Sequence, residues 1–296
     1  MPAEKPSGVP ARPGVKQHWL LLVLGLTFLF ILLPFLFWQA TWFGRPLSDA
    51  QLANSLADVQ HPREVQHGLS QIADRILSAN PNTRASARRF YPDVVKIGSS
   101  SDEDLRLTAA WVMGQDNSVP EFKQALLNLL RDSNPMVRRN AALALIRFGD
   151  TSGHQEIDAI FEPYPMVAPQ TGRLSERLKP GDPVNPGTLL GRVETDGQAN
   201  EIRCQVPGAI NRWLVSDGAT VSAGQPVVVV DSSAEEIWEA LRALYLIGDA
   251  QDLPTIDRLA RPDKSVPENI QQQARRTALI VRSRAGADAS APQPAH

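Results

Sequence analysis

The sequence predicts a multi-domain α + β protein: an N-terminal transmembrane helix, then an α-solenoid of short helices interrupted by a small β barrel. Three observations carry this. Residues 19–43 form an apolar run free of Asp, Glu, Lys and Arg; a helical sequence unit recurs further along; and at Pro163 the pattern switches to short apolar pieces punctuated by Gly and Pro. A change of hydrophobic period from 3.6 to 2 marks a change of element type. In order, the predicted domains are a cytoplasmic Pro-rich tail over 1–18, a transmembrane helix over 19–43, helical repeats over 47–162, a β-module over 164–231, resumed helices over 233–285 and a disordered tail over 286–296.

Composition narrows the function classes. The 296 residues hold 30 Lys+Arg against 32 Asp+Glu, a net charge of −2. Chains that coat phosphate backbones are strongly basic, so no nucleic-acid partner is expected. The single cysteine excludes an intrachain disulfide framework, a multi-cysteine metal site and c-type haem attachment.

The apolar run is long enough to span a bilayer, which takes about 20 helical residues. Trp19 at one end and Trp38 and Trp42 at the other suit the two interfacial belts. A cleavable signal peptide is the competing reading, but its apolar region is shorter, and Trp38 stands two before Ala40 where a small residue is wanted. A helix apolar all round does not suit a soluble core, and Pro34 is tolerated in membrane helices. Lys5, Arg12 and Lys16 precede the run against a lone Glu4, and only Arg45 follows closely. The positive-inside bias therefore places the tail in the cytoplasm and residues 45–296 outside. The Ala/Arg/Pro-rich, Lys-poor style is bacterial, which makes the location the periplasmic face of the inner membrane. Kinase, ligase and carboxylase chemistry would lack ATP there.

From Leu47 onward short amphipathic helices are predicted. A capping box at Ser48-Asp49-Ala50-Gln51 opens the first. Others are expected at 63–78, 82–97, 102–114, 120–131, 135–148 and 154–161, with Pro120 and Pro135 in first-turn positions and Gly98 and Gly149 as stops. Leu105-Arg106-Leu107-Thr108-Ala109-Ala110 aligns with Val137-Arg138-Arg139-Asn140-Ala141-Ala142 at an offset of 32, and Ala141–Asp150 matches Ala240–Asp249 at an offset of 99. This unit, an apolar-Arg pair, two small residues and an apolar end before Gly-Asp, resembles HEAT-like repeats over about 49–161 and 234–285. The resemblance implies paired helices stacked on a shared core, in arrays that mostly bind proteins. Some HEAT-like proteins are enzymes. The hydroxylases among them hold iron with His-Glu pairs, and none of His18, His61, His67, His154 or His296 is followed by Glu. A HEAT-like lyase or glycosylase stays a further alternative, opposed by the exported topology and the acidic balance. Arg88-Arg89 and Arg138-Arg139 are read as solvated helix faces or ion-pair partners rather than phosphate readers.

The β-module carries its own repeat. Gly181-Asp182-Pro183-Val184-Asn185-Pro186-Gly187 matches Gly218-Ala219-Thr220-Val221-Ser222-Ala223-Gly224 at an offset of 37, and Ala168–Gly172 approximately matches Gln205–Gly208. Two copies of G-x-x-V-x-x-G predict a flattened barrel of two related halves, with glycines in left-handed turns and valines inward. The stretch resembles biotinyl/lipoyl carrier domains of the barrel–sandwich hybrid fold. That resemblance implies a hairpin between the halves bearing a cofactor lysine in E-A-M-K-M-x-N-E-I. The equivalent run is Glu194-Thr195-Asp196-Gly197-Gln198-Ala199-Asn200-Glu201-Ile202, with Gly197 in the lysine's place and the nearest upstream lysine, Lys179, in another turn. A glycine offers no amine to acylate, so no cofactor is expected. Unmodified barrels of this kind also occur in membrane fusion proteins of efflux and secretion systems, but those carry a long coiled-coil hairpin where this chain has about six residues, 194–199. The 99-residue offset exceeds the 32-residue repeat by roughly the length of the β-module, so the module reads as an insertion, with Ser233-Ala234-Glu235-Glu236 capping the resumed helices. Cys204 is read as a buried thiol. Trp111, Trp213 and Trp238 are read as core or near-core; any exposed one would be a partner anchor.

These readings converge on a non-catalytic, single-pass membrane scaffold holding a protein partner, expected to be a membrane-complex subunit, outside the inner membrane. No catalytic, metal or cofactor-binding residue and no small-molecule substrate is predicted. The alternative is an adaptor of an efflux or secretion system.

Overall fold

The computed structural model describes residues 15–40 and 46–290, in two units, 1–52 and 53–296. The Pro-rich tail up to residue 14, Trp42 and the last six residues of the expected disordered tail lie outside the described residues.

In the first unit, α1 (Val15–Ala40) is one helix that runs through Pro34. The side chains described in it, Trp19 and residues 21–36, are almost all apolar and exposed. Among the described residues no helix is long and apolar enough to cross a membrane. The predicted capping box opens α2 (Asp49–Ala57): the Ser48 amide donates to Gln51 Oε1 at 3.0 Å, and the Gln51 amide donates back to Ser48 Oγ at 3.4 Å.

In the second unit, α3 (Pro62–Leu77), α6 (Glu103–Met113), α8 (Pro135–Arg147), α10 (Ala234–Ile247) and α12 (Glu268–Ser290) pack successively side by side. The shorter α4 (Pro81–Ala87), α5 (Tyr91–Ile97), α7 (Pro120–Leu129), α9 (His154–Asp158) and α11 (Leu253–Ala260) back them. Proline sits in the first turn of α3, α4, α7 and α8, where its missing N–H leaves no intrahelical bond unmade. The single helix expected over 82–97 is two helices joined by a 3₁₀ turn, Arg88–Phe90. Pro92 explains this, because its ring would clash with the carbonyl four residues back. The last helix runs to Ser290, past the point where a disordered tail was expected; alanines at 285, 287 and 289 favour the extra turn.

Between α9 and α10 stand eight strands: β1 (Tyr164–Val167), β2 (Gly172–Glu176), β3 (Pro183–Val184), β4 (Leu189–Thr195), β5 (Gln198–Arg203), β6 (Gly208–Trp213), β7 (Thr220–Val221) and β8 (Pro226–Ser232). They form two antiparallel sheets, β1-β8-β6-β3 and β5-β4-β2-β7, so each half of the repeat contributes to both. The halves hook each other reciprocally. Gly181 N–H donates to Ile210 O at 2.7 Å, as Gly218 N–H does to Leu174 O at 2.8 Å; Ala168 N–H donates to Gln225 O at 2.9 Å, as Cys204 N–H does to Thr188 O at 2.8 Å. The four repeat glycines, 181, 187, 218 and 224, have φ of 91°, 86°, 77° and 77°, a region that penalises any Cβ. The two repeat valines, Val184 and Val221, are 2% and 1% exposed in the barrel core.

The helices on either side of the barrel share one core. Ala142, Ile146, Ile157 and Ile160 from before it pack in one cluster with Ala240, Leu241, Leu244, Ile256, Leu259, Ile270, Ala274 and Val281 from after it. The barrel keeps a core of its own, against which Met136 of α8 also packs.

Candidate interaction surface

The array is held in register by a recurrent brace. An Asn or Asp caps the start of α4, α6 and α8, and the arginine four residues on turns back to the preceding loop. Arg84 donates to Ser78 O at 3.1 Å; Arg106 to Ser100 O and Ser101 O at 3.0 and 3.1 Å; Arg138 to Asp132 O and Ser133 O at 2.8 and 3.2 Å. Two of these arginines also reach the next repeat: Arg106 Nε lies 2.6 Å from Asp132 and Arg138 Nε 3.0 Å from Glu156. Burial is the largest influence and works against the Asp132 charge, but the bonds from Arg106 and the Asn134 amide, with the Arg106 and Arg138 charges, together hold the carboxyl below its usual range. These are interactions between repeats, so the repeat arginines are occupied structurally. Lys123 adds a similar tie, 2.9 Å from Asp150, whose carboxyl is brought down to about 2 chiefly by that lysine and Ser152.

Two polar side-chain contacts cross the barrel insertion. Arg139, itself buried, donates to Glu236 Oε2 at 2.9 Å. His154 Nε2 lies 3.0 Å from Asp252 and 3.6 Å from Asp158. Among the described residues, His154, Asp158 and Asp252 are the group whose donor atoms, within 4.8 Å of one another, could hold a metal ion. Their present partners are internal: Asp252 also caps the Asp249 amide at 2.7 Å. Burial, joined by the Asp252 charge and opposed by His154, pushes the Asp158 carboxyl up to about 6.

The solvent side of the array carries the surface feature of interest. A groove of about 500 Å³ crosses from α8 over α10 to α12, lined by Leu143, Ile146, Ala243, Tyr245 and Leu246 and edged by Arg147, Arg242 and Arg276. Leu246 is 61% exposed, and on the neighbouring helix Leu279 is 67% exposed. Arg242 is bound to Glu239 at 3.3 Å and stacks over the Trp238 ring at 4.7 Å. Arg147 donates to Gly114 O and to Gln115 Oε1. Of the three tryptophans singled out in the sequence, Trp213 and Trp238 are half-buried, whereas Trp111 on α6 is 43% exposed. Trp213 Nε1 donates to Leu178 O at 2.9 Å, so it is tied into the barrel.

Sequence reasoning did not single out the groove residues. A signal was present: Ala243-Leu244-Tyr245-Leu246-Ile247 is a continuous apolar run, wider than the stripe needed by a helix buried on one side.

On the barrel, β4 and β5 pair up to Thr195 and Gln198, leaving a two-residue turn, Asp196-Gly197, with φ of 50° and 80°. Asp-Gly is the preferred composition for such a type I′ turn. Gly197 therefore stands at the tip of the hairpin, in open space, with no side chain to carry a group. Lys179 lies in the turn between β2 and β3. Cys204 is buried, its Sγ 3.1 Å from Val206 O, and burial pushes its thiol up in pKa.

Comparison with known families agrees with this architecture. The model of HEAT repeats matches residues 92–162, and the model described as "Biotin-requiring enzyme" matches residues 164–230. The chain thus combines a HEAT-repeat region with a domain of biotinyl/lipoyl type. HEAT repeats generally mediate protein–protein interactions. No curated protein matches the chain. Among solved structures it is similar to an engineered protein, at 15% identity over 78% of this chain and 87% of that one, with a TM-score of 0.32, too low to bear on fold or function.

Proposed function

We propose that this protein is a non-catalytic, membrane-anchored scaffold that holds a protein partner at the outer face of a bacterial inner membrane. The observation that carries the reading is an open groove of mixed apolar and charged lining on a helical array whose first part matches HEAT repeats. Exposed aromatic and arginine side chains around an apolar centre are the residue types that dominate protein interfaces. The glycine at the hairpin tip supports a barrel that touches rather than ferries a chemical group. Anchoring is supported by the charge-free run over 19–43 and by the three cations that precede it. One membrane helix would keep the partner at high effective concentration.

Three measurements test this. A C-terminal alkaline-phosphatase fusion should be active in a bacterial host; an inactive fusion would reverse the topology. Affinity purification of the chromosomally tagged protein from solubilised membranes should recover a stoichiometric companion, and intact-mass measurement should find no prosthetic adduct on the chain. A biotinyl or lipoyl group on Lys179 would contradict the passive role.

A further inference from the structure

We infer that the groove across α8, α10 and α12 takes a specific kind of ligand: an acidic amphipathic peptide segment of the partner, its apolar side on Leu143, Tyr245 and Leu246 and its carboxylates on the arginines. This rests on the scaffold reading and adds the partner's chemistry to it.

The argument is one of charge and shape. The groove presents three guanidinium groups and one carboxylate, Glu239, in a chain whose net charge is −2. The three arginines differ in what they can offer. Arg147 is committed to holding Gly114 O and Gln115, so it supplies a fixed positive edge. Arg242 shares one exposed contact with Glu239 and sits over the Trp238 ring at 4.7 Å. Arg276 makes no hydrogen bond or ion pair among the described residues, and it is exposed. Guanidinium groups favour planar, bidentate carboxylate partners. Between them lie the apolar side chains Leu143, Tyr245 and Leu246, and α12 also exposes Leu279 and Ile280. An extended or helical segment with apolar residues on one side and Glu or Asp on the other satisfies both halves of the surface. A basic segment would set its charges against Arg242 and Arg276, which costs binding energy.

The test uses the full chain in detergent with two synthetic amphipathic peptides as probes. Both place Leu at helical spacing on one side, and the other side is all Glu or all Lys. By fluorescence anisotropy the Glu/Leu peptide should bind at least tenfold more tightly than the Lys/Leu peptide, with affinity falling as salt rises. Leu246→Asp should weaken the Glu/Leu peptide at least tenfold without lowering the thermal midpoint, since the side chain is exposed. The double variant Arg242→Glu/Arg276→Glu should invert the preference, taking the Lys/Leu peptide over the Glu/Leu one, a gain that misfolding could not produce. Equal binding of the two peptides, or no inversion in the double variant, overturns the inference. So does sedimentation showing a dimer that Leu246→Asp dissolves, because the face would then belong to a second copy. If the native companion is recovered equally by wild type and Leu246→Asp, the groove assignment fails while the scaffold reading stands. If wild type recovers no companion, the scaffold reading itself fails.

Discussion

In the β-module, Val227, Val228, Val229 and Val230 of β8 are all buried, as are Val184 and Val221; on α10 and α12, Tyr245, Leu246, Leu279 and Ile280 face solvent. The two regions have comparable apolar sequence and dispose of it differently. The barrel closes by duplication: each half supplies the hydrogen-bond partners and apolar cover that the other lacks, so little apolar surface remains on offer. A helical array has no such closure, because each layer covers only one side of the next. Apolar residues beyond that side are left for a partner. On the proposed scaffold reading, this difference would put recognition on the helices.

Four measurements would break or sharpen this contrast. The largest effect is expected at Arg139, where the array is tied across the barrel. Burial raises the Glu236 carboxyl against the pull of Arg139, so Arg139→Ala leaves a poorly solvated carboxylate and should cost about 3 kcal/mol in urea unfolding. Replacing both, Arg139→Met with Glu236→Leu, should cost less than the single change; an equal or larger loss would mean that the pair itself, not the orphaned charge, holds the joint. Next come the two repeat valines. Val184→Ala and Val221→Ala each remove buried methyl groups from equivalent sites and should each destabilise the barrel by about 2 kcal/mol. Clearly unequal values would show that the halves are alike in chain path but not in packing.

The third and fourth concern pH. Asp150 has its folded pKa lowered to about 2, so its contribution is present above the unfolded value and is lost as pH falls through the folded one. Lys123→Met should therefore cost up to about 1 kcal/mol at pH 7, because the lysine is partly exposed, and progressively less as pH falls through about 2. Asp158 runs the other way. Its folded pKa, raised to about 6, means that the folded state binds a proton more tightly, so stability rises as pH drops from above 6 towards 4. Asp158→Asn should flatten that limb of a melting-temperature profile; an unchanged slope would place the proton elsewhere.

Much of the architecture was legible in the sequence because repetition exposes it. The paired G-x-x-V-x-x-G turns announced both the left-handed glycines and the buried valines. At Ser233 only half of the expected capping box forms: Ser233 Oγ accepts from the Glu236 amide at 3.2 Å, while the Glu236 carboxylate pairs with Arg139 instead of returning to the Ser233 amide. The stops were legible unevenly: Gly149 ends α8 with φ of 67°, whereas Gly98 ends α5 at −57°, where any residue would serve. The break at Arg88–Phe90 was missed although Pro92 signalled it. The groove was not legible as a site, since it gathers residues from three helices, two of them beyond the barrel, and a pattern along one helix does not show which of its sides a neighbour will cover. The brace arginines were legible as charged and repeated, but their return to the preceding loop depends on loop conformation.

One consequence follows from where the barrel is attached. Tyr164 lies opposite Val230 in the β1–β8 ladder, so the chain leaves the array and rejoins it at adjacent points. A pull applied between α3 and α12 would travel through the core shared by α8, α9 and α10 and bypass the strands. The barrel, packed on α8 through Met136, would lie beside the line of force and keep its shape while the array flexes.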